Sequence, residues 1–369
     1  MIGSSNSSYN KALALLELNL QKRPPAKSSL SVARKKIGWG IFRRILFAVS
    51  QIIEQAFGGQ TLWRGLKVFA VDGSKLNLPR NLKNVKYKGT HKGCFYPQGL
   101  LTTLVRLKTG IPVHFELSRR VAETKTVPLH LSKVPRKSVV VYDRLYFCWK
   151  VLEEHKKRGI HGVFRLRTGG TLKEVVNFIE SGKTDEIKNL TRNGITYRIR
   201  FISYFIKGKP YYLATTLLNR NLYPRDCFPG LYHSRWGVEE TFKFIKQELQ
   251  VERFHSKNPK TIKQEIAVSL ILAALSQMLK IKTSRKRRPS NGVTNQLIVG
   301  ILPYYCQKNN EVRNHQTSQI AEISLRFLHQ SPPGRSFQRR SRKVISRWQK
   351  SIAWEWNKKK RQQRRLVPP

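Results

Sequence analysis

The sequence LYHSRWGVEETFKFIKQEL, from Leu231 to Leu249, predicts a helix with a distinctive face, and the other elements are interpreted relative to it. Four residues of this stretch are spaced by 3, 4 and 7 positions: Tyr232, Arg235, Glu239 and Lys246. At roughly 100° per residue they fall in a stripe about 60° wide, whereas Glu240 lies about 100° further round the helix. Glu239 is therefore predicted to face a site together with two cations and an aromatic hydroxyl. Metal binding beside phosphates is one use of such a face, and a solvated charged surface is the alternative.

The composition describes a globular chain with an extreme charge. Its 369 residues are 40% hydrophobic and 10% aromatic, which is enough for a full core and two or three structural parts. There are 71 Lys and Arg residues against 21 Asp and Glu residues, so the net charge is +50 at pH 7. A chain that repels itself this strongly indicates a polyanionic partner, most commonly nucleic acid.

The cysteines and the apolar segments indicate a reduced cytosolic protein without a membrane partner. The four cysteines are far apart and form no CxxC pair: Cys94, Cys148, Cys227 and Cys306. The first twenty residues lack the basic start and long apolar stretch of a signal peptide. The most apolar run, Ile266 to Leu279, is shorter than the roughly 20 residues of a membrane span, so we expect a buried helix there.

Two of the four Asp residues follow the most apolar predicted strands. LKVFAVDGSKLNLP, from Leu66 to Pro79, is predicted to be a strand that ends at Asp72, and Ser138 to Tyr142 is predicted to be a strand that ends before Asp143. A carboxylate at the carboxyl end of a buried strand lies where α/β sheets bind ligands. The alternatives are a hairpin turn at Asp72 and a helix start at Asp143.

The remaining pattern is a mixed α/β order. Helices are predicted between Tyr9 and Gly58, an antiparallel meander follows with a turn at Thr109 and Gly110, and a further helix spans Cys148 to Lys157. Alternating apolar and basic positions from Gly162 to Leu218 predict a β-rich insertion before the helix that carries Glu239. The basic end of the chain is predicted to contain weaker helices and an arm that could bind DNA.

Asp72, Asp143 and Glu239 are the acids that we expect to meet. Three ionised carboxylates need a cation to share a small space, and oxygen ligands select Mg²⁺ or Mn²⁺. Two such ions about 4 Å apart can activate an attacking oxygen and stabilise a leaving one in phosphodiester chemistry. Arg235 and Lys246 would then hold phosphates.

These motifs resemble the DDE transposases of the insertion-sequence four family. The resemblance rests on DGS from Asp72, on DR from Asp143 with two aromatic residues after Leu145, on the insertion, and on Y-x2-R-x3-E-x6-K from Tyr232 to Lys246. It extends from about Lys67 to Phe254. The family usually has Gly where this chain has Leu145.

The resemblance implies a ribonuclease-H-like mixed sheet flanked by helices and a two-metal mechanism. The metal ligands would be Asp72, Asp143 and Glu239, and the contacts to the transposon end would be Tyr232, Arg235 and Lys246. The partner would be double-stranded DNA, both terminal inverted repeats and target, bound by a dimer in the cytoplasm of a bacterium at the nucleoid. The 3′-OH freed by cleavage would attack target DNA.

The resemblance also divides the chain. Residues 1–60 would form a shortened DNA-binding region, residues 61–160 and 219–282 the catalytic core, residues 161–218 the insertion, and residues 283–369 a basic C-terminal region. Only 71 residues precede Asp72, fewer than is common in the family. The alternatives are therefore an inactive or shortened copy that only binds DNA, and a structure-specific nuclease.

Overall fold

A mixed sheet of eight strands forms the centre of the protein. The computed structural model describes residues 25–85, 96–119, 122–169, 172–283 and 293–299, with the isolated residues 13, 17, 23, 87, 319 and 323. The strands are β1 (Lys67–Asn77), β2 (Gln98–Arg106), β3 (Ile111–Ser118), β4 (Ser138–Tyr142), β5 (His161–Arg165), β6 (Asp185–Arg192), β7 (Ile195–Ile206) and β8 (Lys209–Thr215).

The strand order is β3-β2-β1-β4-β5-β8-β7-β6. Strands β1, β4 and β5 run parallel to one another, and every other neighbouring pair is antiparallel. The first five strands, in the order 3-2-1-4-5 with β2 reversed, have the topology of a ribonuclease-H-like fold, as the sequence predicts. The insertion lies where the sequence places it, between Asp143 and the segment that carries Glu239, and its last three strands extend the same sheet.

Strand β5 is continuous with the core sheet because it pairs in parallel with β4. The division expected from the sequence counts its residues in the insertion. Beyond β5, two short hairpins order the insertion. Asn193 and Gly194 join β6 to β7, and Lys207 and Gly208 join β7 to β8, each with a positive φ. Two-residue turns of this kind match the right-handed twist of paired strands.

Helices cover both faces of the sheet. They are α1 (Lys27–Lys36), α2 (Trp39–Phe57), α3 (Val127–Leu131), α4 (Trp149–Arg158), α5 (Lys173–Glu180), α6 (Phe228–His233), α7 (Trp236–Lys243) and α8 (Pro259–Thr283). Helices α2 and α8 pack on one face, beside Val68 and Ala70 of β1. Helices α3, α4 and α5 pack on the other face, beside Phe69 and Val71. A strand that is covered on both faces typically has a continuous run of apolar residues, and β1 has such a run from Val68 to Val71.

Strand β1 does not end at Asp72 as the sequence predicts. It continues to Asn77, and Asp72 and Gly73 pair with Thr103 and Thr102 of β2. The hairpin alternative for the Asp-Gly pair is therefore wrong for this chain.

The predicted continuous helix from Leu231 to Leu249 is also interrupted. Helix α6 ends at His233, where the Ser234 hydroxyl donates to the Leu231 carbonyl at 2.6 Å, a bond that competes with regular helix formation. Helix α7 follows, and a π-helical turn at Phe244–Glu248 completes the stretch. Single π-helical turns often lie at functional sites because they change the direction of the side chains that follow.

Helix α8 contains the apolar run that the sequence predicts to be a buried helix. By length and composition it could span a membrane, and 67% of its most apolar window is buried in the protein. It packs along α2 and β3, so within the described chain it behaves as a core helix.

Some expectations lie outside the described residues. Apart from Leu13 and Glu17, the first predicted helix is not described, and the same holds for residues 284–292 and for nearly all of the chain after residue 299. The predicted C-terminal helices and arm are among them.

Candidate active site

Strand pairing brings Asp72 and Asp143 together. Strands β1 and β4 pair in register from Lys67 with Ser138 to Ala70 with Val141. The same register, continued two residues past the last pair, brings Asp72 and Asp143 to the same edge of the sheet. Strand β4 ends at Tyr142 whereas β1 continues, so the Asp72 backbone has a hydrogen-bonded neighbour only on its β2 side. The two carboxylates therefore lie at the carboxyl edge of the parallel strands, which is the usual ligand-binding edge.

Arg235 links Asp72 to Glu239. Its Nη1 lies 3.3 Å from Asp72 Oδ2, and its Nη2 lies 2.5 Å from Glu239 Oε1. The Arg235 side chain is only 12% exposed, against 38% for Glu239. The guanidinium thus occupies the space between two of the three predicted metal ligands.

Burial sets the proton affinity of Asp72. Removal from water raises the pKa of its carboxyl group from 3.8 to about 6, against the lowering effects of the Gly73 N–H bond and of Arg235. Glu123 and Glu239 add to the rise because each places a second negative charge nearby. An acid held at this pKa is characteristic of functional sites.

The other two residues of the predicted stripe are already engaged. The Tyr232 ring lies 5.9 Å from the Arg235 guanidinium carbon. Burial raises the pKa of the Tyr232 hydroxyl, Arg235 lowers it, and the charge of Asp143 raises it. Lys246 Nζ donates to Ser74 Oγ at 2.6 Å and to the Lys75 carbonyl at 2.8 Å. All four stripe residues therefore lie at the β1 edge, although the helix that carries them is not continuous.

A fourth carboxylate, Glu123, lies beside Asp72 and is not among the residues predicted for the site. The Tyr146 hydroxyl donates to Glu123 Oε2 at 2.9 Å. No spacing motif marks this residue, because a loop brings it to the site from the far end of β3. Two sequence signals lie near it, the Asp72-Gly73 pair and the aromatic pair after Asp143, and neither of them points to Glu123.

A cleft lies beside Asp143, which forms part of its lining. Its volume is about 490 Å³, and its lining is Asp143, Arg144, Leu145, Arg167, Thr168 and Gly169. Arg144 and Arg167 are exposed, and among the described residues neither has a carboxylate within ion-pair distance. The cleft therefore offers two positive charges directly beside a predicted metal ligand.

The acids have the oxygen ligands that a divalent cation such as Mg²⁺ binds. Carboxylate oxygens are the ligands that Mg²⁺ and Mn²⁺ prefer, and the acids converge on one edge. Within the described residues, no group of three or more His, Cys, Asp or Glu side chains is placed to hold a metal ion as it stands. Glu239 points to Arg235 instead, so the three predicted ligands share an edge but do not form one ligand set.

Comparison with known proteins agrees with the family that the sequence motifs resemble. The chain is 24% identical over 280 residues to the transposase InsG for insertion sequence element IS4 of Escherichia coli (strain K12), which is 70% of this chain and 62% of that protein. The chain thus spans about three fifths of that relative's length. The chain is also similar to a cryo-EM structure of a piggyBac transposase synaptic complex with hairpin DNA. The aligned region is 90% of this chain and 73% of the piggyBac chain, with a TM-score of 0.42 and 11% sequence identity. That likeness adds nothing to the sheet topology described above.

The family model described as "Transposase DDE domain" matches residues 63–275. This range contains all six predicted site residues and more than half of the chain. The chain therefore belongs to the transposase DDE domain family.

Proposed function

We propose that this protein is a transposase of a bacterial insertion sequence, which cleaves the ends of the element and joins its 3′-OH to target DNA. The observation that supports the proposal is the link that Arg235 makes between Asp72 and Glu239 at the end of β1, with Asp143 directly after the neighbouring strand β4, inside the range matched by the family model. The resemblance of the last motif supports the same assignment, because its four residues all lie at that edge.

In this proposal the three acids hold two Mg²⁺ or Mn²⁺ ions. When bound, these ions would supply activation of the attacking oxygen and stabilisation of the leaving one. Asp72 and Asp143 would provide ligands from neighbouring strands. Glu239 would join them once Arg235 turns away, and the freed guanidinium would pair with a DNA phosphate. The Tyr232 ring would support Arg235 in either position.

The DNA would approach across the cleft beside Asp143. Arg144 and Arg167 would contact phosphates there, and the charge of +50 would draw the duplex towards the protein. Lys246, through its bonds to Ser74 and Lys75, would keep the end of β1 in place beside the DNA. Two protein copies would pair the two ends of the element.

The test uses purified full-length protein and linear DNA that carries the terminal inverted repeats flanking the gene. With Mg²⁺ or Mn²⁺ we expect cuts at the repeat ends and products joined to a target plasmid, and with EDTA we expect neither. Asp143→Asn should bind the same DNA and make no cut. Cutting without joined products would indicate a structure-specific nuclease, and binding without cutting under any metal condition would indicate an inactive copy.

A further inference from the structure

The Glu123 carboxylate occupies space that a side chain at position 73 would need. A Cβ atom built on Gly73 would lie 2.4 Å from Glu123 Oε1 and 2.5 Å from its Cδ, which is closer than real Cβ contacts allow. Glycine in the interior of a strand weakens the strand and often marks a close approach by another group. Here that group is a carboxylate, and it reaches β1 next to Asp72.

Hydrogen bonds hold the Glu123 side chain and backbone in this position. Tyr146, which is fully buried, donates its hydroxyl hydrogen bond to Oε2 at 2.9 Å. The short helical turn Glu123–Thr126 fixes the backbone, since Thr126 Oγ1 donates to the Glu123 carbonyl at 2.7 Å. One carboxylate oxygen is therefore fixed by Tyr146, and the other faces Gly73.

Within the described residues no Lys, Arg or His lies within ion-pair distance of Glu123. In a chain with 71 Lys and Arg residues, a half-buried carboxylate next to another acid has an unfavourable environment. A purely structural role would be served better by a neutral amide, which could also accept the Tyr146 hydrogen bond.

We propose that Glu123 supports the cation site: held by Tyr146 beside Asp72, it adds a fourth negative charge that strengthens the binding of divalent cations. This inference rests on the proposed function, because it concerns the same site. The ligand class is a hard divalent cation, for which the local negative charge raises affinity. Residues next to the ligands of a metal site typically change metal affinity or activity by about 10-fold to 100-fold when they are altered.

The experiment measures Mn²⁺ binding to full-length protein with its end DNA, by calorimetry and by Mn²⁺ electron paramagnetic resonance. Glu123→Gln should weaken binding by about tenfold or more, while the thermal midpoint does not fall below the wild-type value. Tyr146→Phe keeps the charge but frees the carboxylate, so a smaller loss is expected. Glu240→Gln removes a nearby charge that pairs with Lys243 outside the site, and should leave Mn²⁺ binding unchanged.

Gly73→Ala gives a second test that does not depend on the Glu123→Gln variant. The added methyl group should displace the Glu123 carboxylate and lower both thermal stability and Mn²⁺ affinity. Combining it with Glu123→Ala should restore the stability but not the affinity. A combined variant that recovers both would indicate a purely structural contact.

The outcomes separate this inference from the proposed function. Wild-type Mn²⁺ affinity in Glu123→Gln, together with loss of binding in Asp143→Asn, would overturn the role of Glu123 and leave the cation site intact. Absence of Mn²⁺ binding in the wild-type complex would overturn both.

Discussion

Arg235 Nη2 lies 2.5 Å from Glu239 Oε1, and the same guanidinium reaches Asp72 Oδ2 with Nη1 at 3.3 Å. The positive charge that two carboxylates require is thus supplied by a side chain of the protein itself. A divalent cation that binds to both acids has to displace Arg235, which makes this residue a competitor in the absence of DNA.

Arg235→Gln is therefore expected to bind Mn²⁺ more tightly than wild type in the DNA-free protein. Loss of a cation so close to the acids removes both competition and repulsion, and we expect a gain of at least about fivefold. The measurement is Mn²⁺ titration by calorimetry. Arg158→Gln, which removes an Arg paired with Glu154 on α4, is the matched control and should show no gain. Weaker Mn²⁺ binding in Arg235→Gln would contradict this relationship.

Asp72→Asn is expected to stabilise the metal-free protein at neutral pH while abolishing cleavage. The folded-state pKa of about 6 lies above the ordinary value of 3.8, so the fold prefers the protonated form. The contribution of Asp72 to wild-type stability therefore falls as pH rises from about 4 to 6, and the loss levels off above that range at no more than about 3 kcal/mol.

Thermal melting in EDTA between pH 4.5 and pH 8 tests this prediction. The advantage of Asp72→Asn should grow through pH 6 and then remain constant. Asp226→Asn is a suitable control because the Asp226 side chain is 87% exposed, and it should show no such trend. A pH-independent difference would show that Asp72 carries no unfavourable charge in the fold.

Lys246→Met is expected to slow cleavage with little change in the salt dependence of DNA binding. In the DNA-free structure this ammonium group is bonded to Ser74 and to Lys75, so its removal loosens the end of β1 close to Asp72. Cleavage rates and binding isotherms at several salt concentrations give the two readouts. A decrease of about one in the slope of log K against log salt would instead assign Lys246 to a phosphate.

The double variant Arg144→Gln, Arg167→Gln is expected, unlike Lys246→Met, to change the salt dependence of DNA binding. Both side chains line the cleft beside Asp143 and are free to meet phosphates. Removing two phosphate contacts should lower the salt slope by about two. Mn²⁺ affinity of the DNA-free protein should not decrease. A slope equal to that of wild type would place the DNA elsewhere on the surface.

The sequence predicts the elements of this fold better than their connections. Strand β4 is found at the predicted residues, Ser138 to Tyr142, because a run of buried β-branched residues allows little else. The register that brings Asp72 and Asp143 to the same sheet edge follows from long-range pairing, which no local pattern encodes.

Two local predictions are wrong for tertiary reasons. Asp-Gly is a frequent turn signal, but at Gly73 the glycine admits the Glu123 carboxylate, a contact that the sequence does not mark. The helical stripe is correct in its residues and incorrect in its continuity, because Ser234 and the π-helical turn at Phe244–Glu248 interrupt the helix. Lys246 lies within this π-helical turn and donates to Ser74 and Lys75 of β1.

The most direct test of the central claim compares Glu239→Gln with Glu240→Gln in metal-dependent cleavage of the element's end DNA. The two acids are adjacent in α7, but Glu239 contacts Arg235 at the β1 edge whereas Glu240 pairs with Lys243. We expect Glu239→Gln to bind the DNA normally and to lose cleavage by at least about a thousandfold, and Glu240→Gln to cleave at the wild-type rate. Retained cleavage in Glu239→Gln would contradict the assignment of Glu239 and the proposed cation site.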